Sequence, residues 1–327
     1  VLEGGGIRGV ALVGAVNELQ DRGYTIRRVA GSSVGALVGA FVAAGTGPDE
    51  LRQLLLDLPF AEFPHKTLLA RFGRVGMAAS ILATQGVYRG DVLHRWVREH
   101  LPPGARRFDQ LIDPDPSPHQ PADRRHRLVI TASDLTTGEL CHLPWHLTEH
   151  FTEVADAVRA STAIPFVFQP YKTEADAAGQ RHWLVDGGLL SNFPVDIFDT
   201  PPSEEPRFPT FGIRLGLPSI HRNEVRNTLS MAKSIVDTVT GFYDRSHLDQ
   251  LTQQRSIFID VGNVQVADFN LDQKGKEQLY DNGRRAVAEF CDQRWDWEGH
   301  LQLRRQLAGD QHAGETGPAP ERPSHHI

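Results

Sequence analysis

At 327 residues, with 40% apolar and 23% charged side chains, the chain has the composition of a globular protein holding one sizeable core or two small ones. Its net charge of −7 argues against bulk nucleic-acid affinity and leaves any contact with anionic lipid to local basic patches. The two cysteines, Cys141 and Cys291, lie far apart without ligand spacing and read as reduced thiols, and no apolar run reaches the roughly 18 residues that a bilayer span requires.

In chain order, residues 1–3 read as a first strand, 4–9 as a glycine loop and 10–22 as a helix. Residues 26–30 form a second strand that runs into Gly31-Ser32-Ser33-Val34-Gly35, followed by a small-residue helix over 36–44. Strand, loop and helix alternate in this way to about residue 56, the pattern of a parallel sheet covered by helices. Residues 63–90 contain no acid but hold Lys66, Arg71, Arg74 and Arg89 beside Leu68, Leu69, Phe72, Val75, Met77, Ile81 and Leu82. That segment reads either as a helix with an apolar stripe on the core or as a lid that meets lipid headgroups. Residues 102–127 are rich in proline and charge and read as a surface excursion around a short turn at 108–112. Further strands are expected at 128–132, 183–185, 211–215 and 257–261, a loop at 201–209, and helices at 224–251 and 273–292. From about residue 309 the apolar period is lost, so one domain over 1–305 and a disordered tail over 306–327 are expected. The chain begins inside its first strand, and upstream residues are expected to be missing.

Three stretches carry chemistry. Ser33 sits on a sharp strand-to-helix turn, where a side chain at Gly31 or Gly35 would collide with the neighbouring strand or helix and the serine hydroxyl is pushed out of the sheet. Gly4-Gly5-Gly6-Ile7-Arg8-Gly9 precedes a helix, so several N–H groups and the helix dipole suit an anion. A dinucleotide reading would need an acid at the end of the second strand, and Ala30-Gly31-Ser32-Ser33 has none. The loop therefore fits an oxyanion hole. Asp186-Gly187-Gly188 follows the apolar Trp183-Leu184-Val185; it can be a plain turn, but strand ends on one edge of a parallel sheet converge, which makes Asp186 a candidate base. His182 would lie roughly 13 Å from Asp186 at about 3.3 Å per residue, too far for a triad without a bend. His142, His146 and His150 are spaced by four, but Pro144 and the lack of a fourth ligand argue against a metal face.

These motifs resemble, in composition and order, those of the patatin-like phospholipases. Ala160-Ser161-Thr162-Ala163-Ile164-Pro165-Phe166-Val167-Phe168 and Asn192-Phe193-Pro194 resemble the family's segments on either side of its catalytic aspartate. Gly86-Val87-Tyr88-Arg89-Gly90-Asp91 and the stretch from Ala132 to Gly138 are similar landmarks, and Glu3 stands where many relatives have Asp. The resemblance covers residues 1–215, leaving 216–305 as additional helices and a strand. It implies a three-layer α/β/α fold with a mainly parallel central sheet, and a Ser33–Asp186 dyad. The implied oxyanion hole is made by Gly4, Gly5 and Gly6, supported by Arg8, Gly9, Gly31, Gly35, Gly187 and Gly188, with no metal and no cofactor. Arg8 reads as an anchor of the glycine loop, Ser32 as a packing or hydrogen-bonding residue. The implied activity is lipid acyl hydrolysis of the phospholipase A or lysophospholipase type. The alternatives are an acyltransferase using the same acyl-enzyme, or an idle lipid-binding or regulatory module. The expected partner is a phospholipid or other acyl-ester lipid, not nucleic acid, and the expected location is the cytoplasm with peripheral membrane contact through 63–90.

Overall fold

A computed structural model describes residues 1–62, 65, 66, 71, 73–117, 120–176, 179–201, 204–216, 234, 238, 249–266, 268 and 270–315. The first elements are α1 (Val10–Asp21), β1 (Val29–Gly31), α2 (Val34–Ala43) and α3 (Pro48–Leu56). They are followed by β2 (His65–Lys66), α4 (Gly73–Thr84), β3 (Gly86–Arg89) and α5 (Asp91–His100). The middle of the chain supplies β4 (Leu128–Asp134), β5 (Glu139–Leu143), α6 (Val154–Ser161), β6 (Phe166–Phe168), β7 (Tyr171–Lys172) and β8 (Trp183–Asp186). The last elements are β9 (Gly212–Leu215), α7 (Gln250–Gln254), β10 (Ser256–Ile259), α8 (Gln273–Gln293) and α9 (Trp297–Glu315). The expected helix over 224–251 lies almost wholly outside the described residues, as do Leu68, Leu69 and Phe72. The last helix runs to Glu315, past the expected tail boundary at 305, and 316–327 are outside the description.

β4 organises the sheet. All seven of its residues are buried, as expected for a strand with cover on both faces. Ile130 pairs with Gly31 of β1 in parallel and with Leu143 of β5 antiparallel, so those two strands occupy opposite edges. Beyond Ile130, Ala132–Asp134 pair with β5 and also with Asp186–Leu184 of β8, again antiparallel. β1 and β8 must therefore lie end to end along one edge of β4. Their C-terminal ends face each other, because one runs with β4 and the other against it. Leu2 continues the parallel part of the sheet, bridging Gly31 on one side and Ile213 of β9 on the other, and β10 closes it beside β9. β7 pairs antiparallel with β8. The sheet is thus parallel from β10 to β4 and antiparallel around β5, β8 and β7. A small separate sheet joins β2, β3 and β6.

Two groups of helices cover the sheet. α1 packs with α3 and α8, and this group lies on β9 and β10; α2, α5 and α6 pack together on β1, β4 and β8. Every residue of α2 is buried, which suits a helix apolar on all sides. α1 and α8 approach until backbone touches backbone: a Cβ on Gly14 would fall 2.0 Å from the Tyr280 carbonyl oxygen, and one on Gly283 2.0 Å from that of Ala11. The stretch at 102–127 is anchored more firmly than a surface excursion. Phe108 and Leu111 enter the core, Ile112 bridges His126, and the buried Asp113 carboxylate accepts from Arg27 at 2.8 Å.

Candidate active site

The gap between the ends of β1 and β8 is where the sequence motifs meet. Gly31 pairs with Ile130 and Asp186 with Ala132, only two residues further along the same strand. Two residues of strand span about 7 Å, so the chain that leaves Gly31 emerges beside Asp186.

Ser33 leaves the sheet with φ 53° and ψ −121°, a conformation that side-chain-bearing residues rarely adopt. Its N–H donates to Ser161 Oγ at 2.9 Å, and its carbonyl accepts the first N–H bonds of α2. The turn is tight because Gly31 and Gly35 are in contact: a Cβ on Gly31 would lie 2.3 Å from Gly35 C, and one on Gly35 2.3 Å from Leu2 O. Gly9 admits Val34 in the same way, at 2.1 Å, which sets the start of α1 against the start of α2. Ser32 turns inward. Its hydroxyl donates to Ser191 O at 2.7 Å and contacts Thr131 Oγ1 at 2.6 Å.

The Ser33 hydroxyl stands close enough to the Asp186 carboxylate to help hold down its pKa. Asp186 is held by three further contacts. Its N–H donates to Ala163 O at 2.9 Å, its carbonyl accepts from Ser133 Oγ at 3.0 Å, and its Oδ1 accepts the Gly188 N–H at 2.8 Å. Burial pushes the carboxyl up to about 6, while Ser33 and the Gly188 N–H pull the other way. Gly187 is glycine because a Cβ there would sit 2.2 Å from Thr131 Oγ1.

The glycine loop lies against this pair. A Cβ on Gly4 would be 3.2 Å from Ser33 Cβ. The Gly5 and Gly6 N–H groups have no acceptor among the described residues, and Gly6 adopts φ +58° where Val266 crosses it. Gly4 corrects the expectation of three donors: its N–H is already given to Asn192 O at 3.1 Å. Arg8 folds back so that Nε donates to Gly5 O at 3.2 Å, and burial lowers its pKa against the opposing field of Glu3. Glu3 in turn takes the Leu215 N–H and two bonds from Arg214 at 3.3 Å.

Among the described residues no histidine is hydrogen-bonded to Asp186. His182 Nδ1 instead meets Asp134 Oδ2 at 2.6 Å, both groups buried. Burial pushes the Cys141 thiol up to about 12 and holds His142 down near 4. Among the described residues no group of three or more His, Cys, Asp or Glu side chains is placed to hold a metal ion, and no helix is long and apolar enough to cross a membrane. Two residues at the site, Ser161 and Asn192, had no role assigned from sequence. Both lie in segments flanking Asp186, and their partners are remote in the chain.

The sequence pattern of the patatin-like phospholipases matches residues 1–199. YqhO of Bacillus subtilis (strain 168) is 32% identical over 309 residues, which is 90% of this chain and 97% of that protein. The NTE family protein Rv1063c of Mycobacterium tuberculosis (strain ATCC 25618 / H37Rv) is 33% identical over 196 residues, 59% of this chain and 43% of its own. Among solved structures, VipD from Legionella pneumophila aligns with a TM-score of 0.51 at 16% identity, over 90% of this chain and 66% of that one, a likeness of fold. The matched pattern spans more than half of the chain and includes the elbow, the strand-end aspartate and the glycine loop that converge beside β4, so the protein belongs to the patatin-like phospholipase family.

Proposed function

We propose that the protein is a serine lipid acyl hydrolase of the phospholipase A or lysophospholipase type, working through Ser33 and Asp186. The observation that carries this reading is the placement of a strained elbow serine beside a buried carboxylate, at the facing ends of β1 and β8, whose pKa is pushed up to about 6. A carboxylate at the ordinary value is a weak base for a hydroxyl; one near 6 is still ionised at pH 7 and a better proton acceptor. Ser33 Oγ attacks the ester carbonyl as Asp186 takes its proton. The carbonyl oxygen becomes an oxyanion facing the Gly5 and Gly6 N–H groups. One such donor is worth about 2.7–4 kcal/mol of barrier. Collapse breaks the bond to the leaving alcohol, which receives the proton from Asp186. Water then attacks the acyl-serine, gives its proton to Asp186, and releases the fatty acid as Ser33 recovers its hydrogen.

The lipid surface is proposed to be met through residues 63–90. Phe166 supports this: it stands in β6 beside β3, is 41% exposed and has φ 66°. Arg89 at the end of β3 is exposed as well. Basic residues near an anionic membrane contribute roughly 1 kcal/mol each.

The deciding experiment is labelling with a fluorophosphonate, followed by analysis of products from mixed phospholipid vesicles. The label is expected on Ser33, with free fatty acid and lysolipid released by the wild type and none by Ser33→Ala. Labelling elsewhere, or full turnover by Ser33→Ala, would end the dyad reading. Reversing Lys66, Arg71 and Arg74 to Glu should weaken hydrolysis of anionic vesicles while sparing a soluble short-chain ester. Equal loss on both substrates would remove the membrane role from this segment.

A further inference from the structure

The Asn192 side chain reaches both arms of the site. The backbone carbonyl of Asn192 accepts the Gly4 N–H at 3.1 Å and its side-chain Nδ2 donates to Gly4 O at 3.3 Å, so both backbone polar groups of Gly4 are taken by one residue. Its Oδ1 fills two places that Cβ atoms would otherwise occupy, at 2.2 Å from the Gly4 position and 2.7 Å from the Gly188 position. Those same positions touch the reacting groups: Ser33 Cβ lies 3.2 Å from the first and Asp186 Oδ1 3.0 Å from the second. Neither Gly4 nor Gly188 has a positive φ, so their backbones would tolerate a side chain and only the space forbids it.

We propose that Asn192 is a positioning residue that ties the glycine loop to the Ser33–Asp186 pair, and that Gly4 and Gly188 are glycines in order to admit its amide. This rests on the hydrolase reading. It assigns Gly4 a part different from that of Gly5 and Gly6: it seats the tether and offers no hydrogen to an oxyanion. Gly4 immediately precedes the two proposed donors, so releasing it moves them relative to Ser33 Oγ, and a misplacement of about 1 Å costs on the order of 100-fold in rate.

The test is a double-mutant cycle of Asn192→Ala and Gly4→Ala, read on a soluble short-chain ester and by thermal unfolding. Asn192→Ala should lower kcat by about 10–100-fold with KM within about threefold, as expected for a residue that acts on the transition state through the loop. Gly4→Ala should cost about 100-fold alone and about 10-fold less when the Asn192 amide is already gone, the remainder coming from its Cβ against Ser33, with Tm showing the same non-additivity. Gly188→Ala should gain much less from the removal of Asn192, because its Cβ would still press on Asp186. If Asn192→Ala does not fold, the near-isosteric Asn192→Asp carries the test. Its new carboxylate should both slow turnover and raise the midpoint of the acid limb, by repelling ionised Asp186. Full activity in Asn192→Ala, an unmoved acid limb in Asn192→Asp, or a Gly4→Ala penalty equal in both backgrounds would overturn the proposal. A wild type that neither turns over ester nor takes the fluorophosphonate would overturn the hydrolase reading, and the coupling in Tm would then decide the tether alone.

Discussion

Asp134 and Asp186 stand on neighbouring strands, both buried, with opposite electrostatic outcomes. Burial raises both. At Asp134 it is outweighed by hydrogen bonds from His182 and Thr136, and the carboxyl ends below its ordinary value. At Asp186 the opposing pull comes from Ser33 and the Gly188 N–H, burial outweighs it, and the carboxyl is pushed up to about 6. A histidine partner is what separates the two acids: His182 meets Asp134 and leaves Asp186 without it. The contrast fits the proposed dyad: a carboxylate whose pKa is raised by burial is the better acceptor for a serine proton.

Exchanging the two acids one at a time should give opposite patterns. Asp186→Asn is expected to reduce kcat by about 10²–10⁴-fold, the usual worth of a general base, in steady-state assays on a soluble ester. Asp134→Ala should leave turnover within a fewfold in the folded protein. It should lower unfolding stability by about 3–5 kcal/mol, the cost of stripping one partner from a buried pair, as read by denaturant titration. His182→Ala should follow Asp134→Ala; if it were folded and as inactive as Asp186→Asn, a triad would replace the dyad.

Stability against pH sharpens the same contrast. Asp186 has a raised folded-state pKa, so the folded protein holds its proton more tightly than the unfolded chain. Its contribution is most favourable at low pH and is lost as pH rises from about 4 to about 6. At pH 7 the ionised group costs at most about 3 kcal/mol, and Asp186→Asn should raise Tm there while abolishing activity. Asp134 behaves oppositely: its stabilisation is present above its unfolded value and disappears as pH falls through its lowered folded value. The smallest expected effect is kinetic. The acid limb of kcat/KM in the wild type should have its midpoint near 6, and a midpoint near 4 would mean that Asp186 is not the group that titrates.

The chemistry-bearing residues were legible because each carries a local signature. The Gly31–Gly35 elbow, the glycines before α1 and the Asp186-Gly187-Gly188 turn all force a backbone shape within a few residues. The approximate positions of β4, β8, β9, β10 and α8 were readable from apolar patterning. What could not be read were relations set by pairing. That β8 runs against β4 and abuts β1 depends on register, and the link from Asn192 to Gly4 spans 188 residues. Distance along the strand separates His182 from Asp186, but its actual partner, Asp134 of β4, lies 48 residues away and no local pattern pointed to it. The difference between Gly4 and its two successors was equally hidden, since three glycines in a row look alike until one finds its acceptor.

The glycine loop has a further dependence. Leu2 is bridged by Ile213, the Glu3 N–H donates to Ile213 O at 3.0 Å, the Ile7 N–H to Val266 O at 3.2 Å, and α1 is clasped by α8. All these partners lie beyond residue 199, where the shared family pattern ends. The motif is therefore not a portable module. A fragment ending at 199 would keep Ser33 and Asp186 yet lose the scaffold under the proposed oxyanion donors, and would leave the apolar flank of α1 open to other molecules. The later third of the chain, poor in recognisable signatures, acts as a built-in splint for the first nine residues. Grafting or recombining this catalytic unit would have to carry that splint along.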